Sequence, residues 1–194
     1  MTDFVPHVVA LGGTPRPGSS TECALRRILA DVRELGATTA LFCGPDLALP
    51  LYDPANPARS DAASRLVEEI RRADAVVLGS PGYHGSVSGL VKNAIDYVED
   101  LRNDDRVYLD GRAVACVATG GGWQGPVATL GALRDIVHAL RGWPTPAGVV
   151  INSSEPAFDA DGACLSNALD GSLRLAAVQM ITFARRWRGE PSGQ

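Results

Sequence analysis

Short apolar runs with β character alternate with amphipathic helical stretches along the whole chain. Such alternation is satisfied by a parallel sheet covered by helices on both faces. His7 to Gly12 reads as a first strand ending in a turn rich in Gly, Pro and Ser. Ser20 to Leu35 then places Cys23, Leu25, Ile28, Leu29, Val32 and Leu35 at helical spacing, with Gly36 as the stop. Thr38 to Cys43 is a second strand, and Gly44 to Ala58, with four prolines, is a loop whose Leu47, Leu49 and Leu51 are expected to tuck against the body. Ser60 to Arg72 is a helix with Ala63, Leu66, Val67 and Ile70 inward, and Asp74 to Gly79 is a near-continuous apolar run, as a central strand requires.

The pattern continues with a helix over Ser88 to Leu101, for which Ser88 or Ser86 supplies the N-cap. Arg112 to Thr119 is a fourth strand, followed by a helix from Val127 to Leu140 that turns Leu130, Leu133, Ile136, Val137 and Leu140 to one side. Ala147 to Ile151 is a fifth strand, Leu169 to Trp187 a long closing helix, and the last seven residues are expected to fray. The 194 residues hold no internal repeat and no dividing linker, so one domain spans 1–194. Periodicity leaves two strand orders open for such a doubly wound sheet. In both, ligands sit beyond the carboxyl ends of the strands, so the loops after strands one, three and four are the ones to read.

Charge and cysteines remove several classes. A net charge of −4 and a pI near 5.3 give no reason to expect nucleic acid or an anionic membrane as partner. No apolar run approaches the roughly 20 residues of a membrane-spanning helix. The start of the chain, Met1 to Leu11, lacks the basic and apolar regions of a secretory signal, so a cytoplasmic location is expected. Cys23, Cys43, Cys116 and Cys164 show no C-x-x-C spacing, and no metal is expected.

The first loop, Gly12-Gly13-Thr14-Pro15-Arg16-Pro17-Gly18-Ser19-Ser20-Thr21, runs straight into a helix. A helix N-terminus offers free N–H groups and about half a unit of positive charge, a setting that favours a bound phosphate. Hydroxyls of Thr14, Ser19, Ser20 and Thr21 and the forked cation of Arg16 add donors. Neither G-x-G-x-x-G nor a G-K-[ST] ending is present, which suits a terminal phosphate better than a bridging pyrophosphate. A plain Gly/Ser turn with an N-cap is the alternative.

After the third strand comes Ser80-Pro81-Gly82-Tyr83-His84-Gly85-Ser86-Val87-Ser88-Gly89-Leu90-Val91-Lys92-Asn93-Ala94-Ile95-Asp96. The pairing of G-[ST]-x-R-x-x-S with a later S-P-x-Y-x-x-S-x-x-G-x-x-K-N-x-x-D resembles the NADPH-dependent FMN reductase family, which includes flavin, azo, quinone and chromate reductases. The resemblance implies an α/β flavodoxin-like three-layer sandwich, a five-stranded parallel sheet of order 2-1-3-4-5, and FMN bound at its carboxyl edge. It assigns the FMN phosphate to Thr14, Arg16, Ser19, Ser20 and Thr21, and the edge of the isoalloxazine to Pro81, Gly82, Tyr83, His84 and Gly85. A tight loop with exposed amides and an aromatic side chain suits that flat, polar-rimmed ring. The sequence departs from the family at two positions, with Gly82 where Glu is frequent and His84 where Asn is frequent. His84 is an acid near the flavin or, the favoured reading, a partly exposed loop residue. Lys92, Asn93 and Asp96 are expected to fix packing or a subunit contact.

The loop after strand four, Ala118-Thr119-Gly120-Gly121-Gly122-Trp123-Gln124-Gly125, lets the backbone approach a ligand closely. The resemblance places Thr119, Gly120, Gly121 and Gly122 beside the pyrimidine side of the ring and the ribityl chain. Trp123 covers the flavin, lines a nicotinamide pocket, meets a second subunit, or anchors the loop to its own helix. The expectation is thus an FMN-dependent oxidoreductase that takes electrons from NADPH or NADH and delivers them to a small-molecule acceptor in a ping-pong cycle. It would work as a homodimer or homotetramer, with no catalytic side chain, since the redox chemistry belongs to the cofactor. Alternatives from other classes are a flavodoxin-type electron carrier to a protein partner and a non-redox nucleotide-binding module.

Overall fold

The computed structural model describes residues 4–189. Strands β1 (His7–Gly12), β2 (Thr38–Phe42), β3 (Ala75–Tyr83), β4 (Ser86–Val87), β5 (Ala113–Gly120) and β6 (Trp143–Asn152) alternate with helices α1 (Ser20–Glu34), α2 (Asp61–Arg72), α3 (Gly89–Asp96), α4 (Gln124–Ala139) and α5 (Asn167–Gly189). The parallel sheet runs β2-β1-β3-β5-β6, with β4 added antiparallel to the end of β3. Without that short addition the order is the expected one. The frayed end expected for the last seven residues begins, at Arg188 and Gly189, inside α5; its remainder lies outside the described residues.

Two apolar layers sandwich the sheet. Val8, Ala10, Val77, Ala115 and Val117 face α1 and α5, which bring Leu25, Ile28, Leu173 and Met180. Val9, Leu11, Val76, Leu78 and Cys116 face α2, α3 and α4, which bring Leu66, Ile70, Val91, Leu133 and Val137. Burial on both faces explains why β3 and β5 read as unbroken apolar runs. Local chemistry starts and stops the helices where the sequence suggests. Ser19, Ser60 and Ser88 cap α1, α2 and α3, each accepting a backbone N–H three residues on. Gly36 closes α1 with φ of +82°, and its N–H bonds the Arg33 carbonyl at 2.9 Å.

Four boundaries differ clearly from expectation, the first being that α4 starts at Gln124, not Val127, with Pro126 in its first turn. β3 continues past Gly79, because Ser80 and Pro81 stay paired with Ala118 and Thr119 of β5 before the strand folds back as a hairpin. β6 starts at Trp143, not Ala147, and accommodates Pro144 and Pro146 because it is the edge strand and its register shifts between Val114 and Cys116. The Ser88–Leu101 helix divides into α3 and a 3₁₀ turn over Tyr97–Leu101. In the proline-rich loop Leu47 is buried and Leu49 partly so, whereas Leu51 is 86% exposed. Asn93 holds this loop: its side-chain amide donates to the Leu49 and Pro50 carbonyls, and its oxygen accepts the Tyr52 N–H at 2.9 Å. Asp100 adds to the brace by accepting from Arg59 at 2.7 and 2.8 Å and from the Tyr52 hydroxyl at 3.2 Å. No described helix is long and apolar enough to cross a membrane.

Candidate cofactor site

The carboxyl ends of β1, β3 and β5 lie side by side, so the three loops singled out in the sequence share one edge. Gly12 pairs with Gly79, and Pro81 with Thr119. Contact between the first two is so close that a Cβ on Gly12, whose φ is +151°, would fall 1.9 Å from the Gly79 carbonyl oxygen. The Gly13 N–H bonds that same oxygen at 3.2 Å. Across the edge, the hydroxyls of Thr21 and Thr119 meet at 2.7 Å, both buried.

In the first loop Thr14 folds back on itself, its Oγ1 accepting the Arg16 N–H at 3.2 Å. Ser19 caps α1 and is buried. Arg16 is exposed and has no ion-pair partner among the described residues. The Ser20 side chain is half-buried. The amides of Ser20 and Thr21, the first two of α1, bond no backbone acceptor among the described residues. An unpaired guanidinium, free helix-end amides and a hydroxyl form a donor set suited to a phosphate monoester. Of the five expected phosphate ligands, Arg16, Ser20 and the Thr21 amide present free donors, while Thr14 and Ser19 shape the turn and the Thr21 hydroxyl serves the core.

The second loop is a two-residue hairpin with His84 (φ +51°) and Gly85 (φ +86°) at its tip, the sign combination that matches strand twist. Ser80 fixes its return: buried Oγ accepts the Ser88 N–H at 3.0 Å and donates to the Pro81 carbonyl at 2.9 Å. Tyr83, 54% exposed, and His84 project from the hairpin. Gly82 lies against α4, where a Cβ would come within 2.5 Å of Thr129 Oγ1. A larger side chain here requires Thr129 to shift, with the Gly125 carbonyl oxygen next, 3.3 Å from the Cβ position.

Gly120, Gly121 and Gly122 close the third loop, and a fourth segment that the sequence reading passed over anchors them. The Asn152 side-chain oxygen accepts the Gly122 N–H at 2.8 Å and the Ser154 N–H at 3.0 Å, and Ser153 N–H bonds the Gly120 carbonyl at 2.8 Å. This Asn152–Asp159 stretch walls a polar cavity of about 290 Å³ shared with Gly18, Ser20 and Cys23. It also walls a second cavity, of about 320 Å³, lined by Trp123, Ile151 and Leu169. Trp123 is 60% exposed at the head of α4, so it is not packed as an internal anchor. An apolar groove of about 440 Å³ along α5, lined by Pro146, Phe183 and Trp187, touches none of these loops.

None of the thiols is poised for reaction: burial lifts Cys43 to about 11 and Cys116 to about 12. What the edge offers is a cluster of free donors, a hairpin with an exposed aromatic and a glycine-lined loop, a donor and surface chemistry suited to a phosphorylated planar ring.

The family model described as NADPH-dependent FMN reductase matches residues 6–156. An FMN-dependent NADPH-azoreductase of Staphylococcus aureus (strain USA300) is 34% identical over 120 residues, covering 61% of this chain and 60% of that protein. The chain thus spans about three-fifths of the length of the curated relatives it matches. Among solved structures, RosB with a bound 8-demethyl-8-formylriboflavin-5'-phosphate intermediate aligns with a TM-score of 0.78 at 16% identity, covering 96% of this chain and 82% of that one. The apo form of the NADH:FMN oxidoreductase EmoB aligns with a TM-score of 0.71 at 22% identity, covering 97% and 93%. These two likenesses establish the fold.

Proposed function

The chain belongs to the NADPH-dependent FMN reductase family, and from that premise we propose that it binds FMN at the carboxyl edge of its sheet and serves as an NAD(P)H-dependent oxidoreductase for a small acceptor such as free flavin, a quinone or an azo compound. When bound, FMN supplies the redox chemistry, taking two electrons from the nicotinamide and passing them on. Arg16, the Ser20 hydroxyl and the amides of Ser20 and Thr21 bind the phosphate, with Thr14 and Ser19 keeping the loop in shape. Backbone groups of the Pro81–Gly85 hairpin and of Thr119–Gly122 border the ring, with Tyr83 against its apolar body. Donor and acceptor take turns at the ring in a ping-pong order, a reading supported by the exposure of Tyr83, His84 and Trp123 on the bordering loops.

The observation that carries this reading is the meeting of three glycine-bearing turns at one edge, beside a helix end whose first amides are free. The reading also includes a cytoplasmic location and a homodimeric or homotetrameric state. The test is an absorbance scan of purified protein after incubation with FMN, followed by anaerobic addition of NADPH and then NADH. Bound flavin bleached by a nicotinamide without any partner protein is the expected result. Flavin reduced only when a protein donor is present would replace this reading with an electron carrier, and absence of flavin binding would leave a non-redox module.

A further inference from the structure

We propose that the Glu22 carboxylate competes with the flavin phosphate and thereby sets how strongly this chain prefers FMN to riboflavin, an inference that rests on the flavin reading above. Glu22 stands at the third position of α1 and is 8% exposed. Its Oε2 accepts the Gly18 N–H at 3.1 Å. Its Oε1 accepts from Arg26 Nε at 2.8 Å and Nη2 at 2.7 Å. Burial works against its charge, but the Arg26 and Gly18 bonds outweigh burial and hold the carboxyl below its ordinary value.

Gly18 sits in sequence between Arg16 and Ser20, two members of the donor set assigned to the phosphate, and with Ser20 it lines the polar cavity beside α1. A dianion settling on that set meets a carboxylate already using one loop amide. It must share the amide or push Glu22 toward Arg26, and in both cases two anions stand close in a partly desolvated pocket. Riboflavin has no phosphate and meets no such opposition. The pocket therefore gives up part of the affinity its helix end offers, and only for the phosphorylated flavin. A glutamine would keep an oxygen for the Gly18 N–H and remain compatible with the Ser19 cap, removing the charge alone.

The experiment titrates FMN and riboflavin separately against wild type, Glu22→Gln and Glu22→Ala at fixed ionic strength, following flavin fluorescence. The expected result is an FMN affinity raised about tenfold in Glu22→Gln with riboflavin affinity unchanged, and a shift of the same sign in Glu22→Ala. An FMN-to-riboflavin ratio that stays level or falls in both variants overturns the inference while leaving the flavin reading in place. Failure of both variants to fold makes Glu22 a structural residue and overturns the inference too. A wild-type protein that binds neither flavin overturns both.

Discussion

The hydroxyl of Thr21 on α1 meets the hydroxyl of Thr119 at the end of β5 at 2.7 Å, across 98 positions of sequence and out of contact with water. This bond fastens the helix whose first amides are free to the strand that leads into the glycine loop. Thr21→Val leaves the Thr119 hydroxyl buried and unpaired, and is expected to cost about 1–3 kcal/mol of stability. Adding Thr119→Val should cost less than the sum of the two single changes. Urea unfolding of the four proteins of that cycle gives the coupling, and strict additivity would show that the bond contributes nothing.

Gly82 and Thr129 form a second pair whose coupling can be read. With Thr129 Oγ1 only 2.5 Å from where a Cβ would sit, Gly82→Ala should destabilise by about 1–3 kcal/mol through overpacking. In a Thr129→Ala background the same change should lose roughly half or more of its penalty. Thermal melts of the single and double variants decide it, and an equal penalty in both backgrounds would refute the steric account.

The Arg16 guanidinium has no partner among the described residues, and its backbone bonds to Thr14 survive a change to alanine, so its removal should leave the fold intact. Arg16→Ala is expected to weaken FMN binding about ten- to hundredfold, the worth of one charge-assisted hydrogen bond. Unchanged FMN titration would take Arg16 out of the site.

Trp123 is exposed beside the glycine loop, and Trp123→Ala should alter the melting temperature little. If the indole closes over the ring pocket, reduction by NADPH should slow by roughly two- to tenfold, matching about 0.5–1.5 kcal/mol of aromatic stacking, with FMN still bound. Stopped-flow reduction measures this, and an unchanged rate would assign Trp123 to another role.

Asp100 gives a pH dependence with a definite sign. The Arg59 bonds hold its carboxyl below the ordinary value of 3.8, so the folded state favours the charged form. A depressed carboxyl stabilises above the unfolded value and loses that contribution as pH falls through the lower, folded value. Asp100→Asn should therefore cost about 1–3 kcal/mol at neutral pH, with the gap from wild type closing as the pH is taken below 3.8. A gap independent of pH would mean that the Asp100 charge is irrelevant.

Much of this was readable from the residues alone, because the decisive signals are local. Apolar runs marked the strands, serines marked the helix starts, and the two motifs stood in the order that brings them to one sheet edge. What escaped depends on partners distant in sequence. Pro81, Gly82 and Gly85 punctuate like loop residues, yet pairing with β5 and β4 keeps this stretch in the sheet. Pro144 and Pro146 are residues that a central strand excludes, and the edge position of β6 admits them. The Asn152-Ser153-Ser154 run following an apolar strand was the available sign of the fourth wall. The Thr21 hydroxyl looked free because nothing near it in sequence reveals Thr119.

The contact of Gly12 with Gly79 has a dynamic consequence. Two main chains touching with no side chain between them have no rotamer to flip and no gap for solvent to enter. The floor of the pocket can part only if the central strands part, which ties its opening to the slowest fluctuations of the molecule. Freer motion is left to the side chains at the rim, where Tyr83 and Trp123 are exposed.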